Sequence, residues 1–168
     1  VHAAPHALAG PSPRDTAHWL AEVRRRRQKI TRVAPELADR AALVSDAIER
    51  SAEQLPANPL TLIHGDCHPD QVWLEGERIV LFDFDEFTLG DPMEDLAALV
   101  TRLGTLATGS KLAPQLLADY GRIAPERFCE RRLKWHLSIQ NLLQASRAFV
   151  FLEGLDLRLR LLAGRCPK

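Results

Sequence analysis

Between Pro56 and Pro92 the chain changes its hydrophobic period, and that change limits what it can fold into. Before it, apolar residues recur at helical spacing. Asp15 is placed to cap a helix running to about Arg32, with Trp19, Val23 and Ile30 on one face and Arg24, Arg25 and Arg27 largely outside it. Pro35, at a first-turn position, opens a second helix to about Gln54, with Leu37, Ala41, Val44 and Ile48 as its apolar stripe. Pro56 and Pro59 end it, so residues 15–54 read as a helical hairpin. From Leu60 the pattern becomes strand-like: Leu60–Ile63 is a short apolar strand, and 71–74 and 78–82 flank Glu75-Gly76-Glu77, a three-residue hairpin loop. Beyond Pro92 helical spacing returns over about 92–107, 112–121, 125–152 and 154–163, broken by Gly104, Gly109, Gly121, Pro125 and Gly154. The order is helices, a β region over 60–91, then a helical subdomain over 92–168. This is an α+β arrangement, mostly helical. Residues 1–14, with Pro5, Gly10, Pro11 and Pro13, read as a linker or disordered lead-in.

Bulk properties narrow the partners. A chain of 168 residues, 46% hydrophobic, is enough for one domain with a real core. Lysine plus arginine equals aspartate plus glutamate at 22 each, so no net field favours nucleic acid or an anionic membrane. No run approaches the roughly 18 apolar residues of a membrane span, and the first thirty residues lack the order of a secretory signal. These features predict a cytoplasmic protein. Cys67, Cys129 and Cys166, odd in number and without CxxC spacing, fit reduced thiols. The chain opens at Val1 on a Pro- and Ala-rich segment, as the later part of a longer gene product would.

The β region also carries the chemistry. Adjacent strands lie about 4.8 Å apart, so in a hairpin the start of the first strand sits beside the end of the second. That makes Gln71 and Asp83 neighbours, with Asp66 five residues upstream on the entering loop. Two carboxylates and a carboxamide brought to one volume suit magnesium, which prefers oxygen ligands and keeps positions for phosphates and water. Asp66, if left off the metal, is free to orient an attacking hydroxyl and take its proton, as phosphoryl transfer requires.

His64-x-Asp66 with an amide four intervening residues later, then an Asp at a strand end, is similar to the catalytic loop and metal-binding Asp of protein kinases. The fuller pattern is His64-Gly65-Asp66-x-His68-Pro69-x-Gln71, Asp83-Phe84-Asp85, and Gly90-Asp91-Pro92-x-x-Asp95-Leu96-Ala97. It resembles the aminoglycoside phosphotransferase family more closely, a group of small-molecule kinases related to choline, homoserine and maltose kinases. The motif match covers about residues 62–100. The resemblance implies a protein-kinase-like carboxy-terminal lobe whose small β-hairpin carries the catalytic loop. By it, Asp66 is the catalytic base, Gln71 and Asp83 are the magnesium ligands, and His64 and Asp95 belong to the loop scaffold. ATP or GTP is then the donor, and a small-molecule hydroxyl the acceptor.

The chain departs from the family pattern in three places. Position 71 is Gln where Asn is usual, as in some branches that include the maltose kinases, and the extra methylene extends its reach by about 1.5 Å. Asp85 stands where Gly commonly follows the metal Asp by two positions. A nucleotide-covering Gly-x-Gly is absent, and the lysines at 29, 111, 134 and 168 fall in predicted helix, helix edge or tail. The amino-terminal nucleotide-binding lobe is thus missing from this chain, which alone is expected to have negligible kinase turnover.

Blander and rival readings accompany these. Asp85 and Glu86 are either acceptor contacts or a solvated acidic loop. Asp91 and Asp95 flank Pro92 at a helix start, where carboxylates favour the helix dipole. Trp135, His136, Phe149 and Phe151 read as core. Cys67 has no required place in the chemistry. A non-catalytic kinase-like binding module, and a metal hydrolase built on His64, Asp66 and His68, are the alternative functions.

Overall fold

The computed structural model describes residues 12–57, 60–106 and 109–163, with side chains as far as Ala148 apart from those of residues 109 and 110. Residues 1–11 of the expected lead-in, Cys166, Lys168 and the side chains of Phe149 and Phe151 lie outside that description.

Helix α1 (Thr16–Val33) starts where the Asp15 carboxylate accepts a hydrogen bond from His18 N at 2.8 Å. It buries Trp19, Val23 and Ile30, the face expected from spacing. After a 3-10 turn at Pro35–Leu37 the chain enters α2 (Ala38–Ala52), three residues later than expected, because Pro35 starts the tighter turn. Its buried stripe is Ala41, Ser45 and Ile48, while Val44 is 43% exposed. Ser45 occupies the apolar face because its hydroxyl donates to the Ala41 carbonyl at 2.7 Å and is satisfied within the helix.

Strands β1 (Thr61–Ile63), β2 (Val72–Glu75), β3 (Arg78–Leu81) and β4 (Thr88–Gly90) form two antiparallel pairs, β1 with β4 and β2 with β3. The second pair is the expected hairpin, in register Val72↔Leu81 to Glu75↔Arg78, but its loop is the two residues Gly76-Glu77 and not three, because Glu75 pairs with Arg78 at the end of the ladder. Strand β4 was not expected: Thr-Leu-Gly is too short to show a period, and its place is fixed only by pairing with β1.

Helix α3 (Pro92–Leu103) ends before Gly104 rather than at 107. Helix α4 (Gly109–Ile123) begins earlier than expected and holds Pro114 inside its second turn. Helix α5 (Glu130–Ala163) begins after Pro125 rather than at it, since Arg127 and Phe128 N both turn back to the Ala124 carbonyl. It runs through Gly154 without a break; one glycine costs a helix only about 1 kcal/mol.

Two cores result. Trp19, Val23 and Ile30 of α1 pack with Ala41 and Ile48 of α2 and with Trp135, Ile139, Leu142 and Leu143 of α5. Met93, Leu96 and Ala97 of α3 meet Leu133 of α5, flanked by Leu116, Tyr120 and Phe128. Helix α5 thus joins the cores and fixes α3, the element that holds the loop after β1. Among the described residues no helix is long and apolar enough to cross a membrane.

Candidate active site

Strand β1 is buried along its length and delivers His64, 1% exposed, to the start of the loop. The next helix catches that loop: Asp95 in the first turn of α3 accepts from His64 N at 2.7 Å and from Gly65 N at 2.9 Å. Two successive amides on one carboxylate fix the direction in which the chain leaves the strand. Gly65 adopts φ +83°, and a Cβ there would lie 2.2 Å from the Glu86 carbonyl oxygen. Only glycine fits this turn without displacing the neighbouring loop.

His64 Nε2 lies 2.9 Å from the Phe82 carbonyl oxygen, which can only accept, so Nε2 carries the proton. The imidazole also packs against Phe84, with ring centroids 4.6 Å apart. His64 therefore ties the loop after β1 to the end of β3. Its Nδ1 is buried without a hydrogen-bond partner.

Beyond Gly65 the side chain of Asp66 is half exposed, and its carboxylate lies 3.7 Å from His68 Nε2. It opens into a cleft of about 290 Å³ shared with Gly65, His68, Arg14, Glu22 and Glu86. A 3-10 turn at Pro69–Gln71 then carries the chain into β2 and buries Gln71. Phe82 N donates to the Gln71 carbonyl at 3.3 Å, and Gln71 Nε2 donates to Asp83 Oδ2 at 3.2 Å. The expected neighbours at the open end of the hairpin are thus in contact. Asp66 makes no hydrogen bond to either of them. Asp83 has φ +64°, a left-handed backbone uncommon outside glycine and tolerated best by Asp and Asn.

The donor set fits a hard cation. Gln71 Oε1 is buried with no hydrogen-bond partner, which is costly for an amide oxygen unless something else engages it, and the Asp83 carboxylate is the adjacent oxygen donor. By contrast, no group of three or more His, Cys, Asp or Glu among the described residues forms a metal-ligating cluster. His64, Asp66 and His68 do not converge, because the His64 ring faces Phe82 and Phe84.

The remaining expected residues divide. Asp85 is exposed. Glu86 is also exposed, but its carboxylate is engaged by Arg14 Nη2. Asp91 caps α3 by accepting from Met93 N at 3.0 Å, while its other oxygen takes Arg132 Nε and lies 3.1 Å from His136 Nε2. Burial pushes the Asp91 carboxyl up, but the hydrogen bond and charge of His136 and the charge of Arg132 outweigh it and hold the group at about 2. The Cys67 thiol is pushed up to about 12, first by burial and then by Asp95 and Asp66, so it is no nucleophile near neutrality.

Sequence reasoning missed Arg14 and Glu94. Arg14 N donates to the Leu89 carbonyl at 2.8 Å, bridging to β4, and its Nη1 reaches both the Gly65 carbonyl at 2.6 Å and Glu94 Oε1 at 2.9 Å. Glu94 Oε2 accepts from Trp19 Nε1 at 2.8 Å. Burial pushes the Glu94 carboxyl up to about 8, with Arg14 and Trp19 opposing. Glu94 falls among the buried residues at the start of α3, a position where a carboxylate demands a partner, but nothing local identifies one 80 residues away.

A family model described as "Phosphotransferase enzyme family" matches residues 1–136. No curated protein matches the chain at the sequence level. Among solved structures, an aminoglycoside-3'-phosphotransferase of type VIII is 21% identical with a TM-score of 0.57, covering 79% of this chain and 52% of its own. A glucosamine kinase is 18% identical with a TM-score of 0.58, covering 94% and 51%. A thermostable mutant of aminoglycoside phosphotransferase APH(4)-Ia, in ternary complex with ADP and hygromycin B, is 21% identical with a TM-score of 0.54, covering 78% and 47%. The chain therefore spans about half the length of these structures, and its fold is that of a kinase-like phosphotransferase lobe.

Proposed function

The chain belongs to the phosphotransferase enzyme family, and from that premise we propose that it is the catalytic carboxy-terminal lobe of a cytoplasmic kinase. The kinase uses ATP or GTP and phosphorylates a hydroxyl of a small molecule. The observation that carries this reading is the pairing of Gln71, five residues downstream of the accessible Asp66 and with a buried Oε1 that has no partner, with Asp83 on its left-handed backbone.

In this reading Gln71 Oε1 and Asp83 hold magnesium, which when bound neutralises charge on the donor phosphates. Asp66 accepts a hydrogen bond from the acceptor hydroxyl and takes its proton as the oxygen bonds to the γ-phosphorus. The bond from that phosphorus to the β,γ-bridging oxygen breaks, and the nucleoside diphosphate leaves with its electron pair. His64 and Asp95 act at a distance by fixing the loop that presents Asp66. Asp85 remains available as an acceptor contact, whereas Glu86 reaches the cleft only as the partner of Arg14.

A second, nucleotide-gripping lobe is part of the proposal. The β2–β3 hairpin leaves apolar side chains exposed on both faces, Leu74 76% and Ile79 69% on one and Trp73 67% on the other, surface of a kind that is normally covered. We assign its cover to that lobe, and the chain alone should turn over negligibly. In the full-length gene product Asp66→Ala should lower kcat by orders of magnitude while leaving the thermal midpoint within a few degrees. Unchanged kcat would remove Asp66 from the chemistry. Failure to bind a nucleotide with magnesium under any condition would favour a non-catalytic binding module instead.

A further inference from the structure

The cleft that receives Asp66 has walls whose charges are unequally spent. From α1, His18, Glu22 and Arg26 face it at successive helical turns; from α3, Ala98 and Arg102; from α5, Gln140, Leu143 and Arg147. Glu22 is already held by Arg25 and Arg26, and Glu86 by Arg14. Burial first, and then the charge of Arg14, lowers the pKa of His18, so its ring is mostly neutral at pH 7.

Asp66 is left as the lining carboxylate without an arginine partner. Against it stand Arg102 and Arg147, which form no ion pair among the described residues. Two guanidinium groups without an ion pair among the described residues line the same cleft as the Gln140 amide, two turns before Arg147 on α5, and this charge suits a carboxylate or a phosphate and disfavours an ammonium group. The volume of about 290 Å³ has room for a group of roughly the size of one sugar ring or one amino acid.

We propose that the acceptor of this chain is a small hydroxyl compound bearing an anionic group, which Arg102 and Arg147 bind while its hydroxyl meets Asp66. The proposal rests on the assignment of Asp66 as the acceptor-side residue. It gives Arg102 and Arg147 a specificity role and sets this cleft apart from one that receives polycations. Both arginines are exposed, so replacing them should leave the fold intact.

The test uses the full-length gene product and four six-carbon probes: gluconate, glucose 6-phosphate, glucose and glucosamine. Equilibrium binding is measured without nucleotide at low salt, and phosphoryl transfer with ATP and magnesium. At least one anionic probe should bind tenfold or more tightly than glucosamine, with a margin that shrinks as salt rises. A preference for gluconate identifies a carboxylate acceptor, and one for glucose 6-phosphate a phosphate. The double variant Arg102→Gln with Arg147→Gln should erase the margin of the anionic probe over glucose.

Equal or tighter binding of glucosamine, a margin that survives the double variant, or binding of none of the four probes would overturn the proposal. Asp66→Asn separates this inference from its premise. If transfer is unchanged in Asp66→Asn, the catalytic reading fails. If anion binding persists and still depends on the two arginines, the specificity reading holds on its own.

Discussion

Asp95 is the residue on which the fold and the site depend together, and Asp95→Asn tests that dependence. The carboxylate is 5% exposed and accepts two backbone amides, His64 N at 2.7 Å and Gly65 N at 2.9 Å. A carboxamide of the same shape keeps one acceptor oxygen and turns an NH2 group toward the other amide. One buried N–H then loses its partner, at about 1–3 kcal/mol, and the surviving bond loses its charge assistance, worth roughly a further 1 kcal/mol. The expected destabilisation is about 2–4 kcal/mol, seen as a lower urea midpoint at unchanged slope. Amide hydrogen exchange at positions 64 and 65 should accelerate in parallel, since those are the groups released. Asp70→Asn on the same loop is the control: its side chain is 93% exposed and the change should fall within about 0.5 kcal/mol. A loss below about 0.5 kcal/mol for Asp95→Asn, with exchange at 64 and 65 unaltered, would show that the loop is held by something other than this carboxylate.

Asp91→Ala removes the cap of α3 and leaves Arg132 and His136 buried without their carboxylate, so about 3–5 kcal/mol should be lost in denaturant unfolding at pH 7; a loss under about 1 kcal/mol would contradict the buried-pair argument. Because the folded pKa of Asp91 is depressed to about 2 from 3.8, its contribution is present above pH 3.8 and is lost as pH falls through about 2. Glu94 carries the opposite sign. Its folded pKa near 8 exceeds the ordinary 4.5, so between those values the folded state holds a proton that the unfolded state has released. Stability from this group therefore declines as pH rises from about 4.5 to 8. Glu94→Gln should flatten that decline when urea midpoints are compared at pH 5 and pH 8, and equal slopes for the two proteins would refute it.

What sequence could supply here was local, and what it missed was set by contacts across the chain. Hairpin geometry placed Gln71 beside Asp83 from two strand patterns and one glycine, and the contact is there at 3.2 Å. Helix periodicity found Trp19, Val23 and Ile30, but it ranked Val44 above Ser45, because a hydroxyl satisfied by its own helix counts as polar in a pattern and as neutral in a core. Arg14 marks the physical limit. Its segment has the composition of a lead-in, yet its guanidinium joins Gly65, Glu86 and Glu94, residues 51 to 80 positions away. No period or spacing encodes such a contact, since its only requirement is that a buried carboxyl group find hydrogen-bond partners somewhere along the chain. The same long-range pairing places Arg14 on Glu86 and beside Glu94, while Arg102 and Arg147 form no ion pair among the described residues, so the charge lining the cleft follows from which ion pairs the fold completes, not from a balance of 22 against 22.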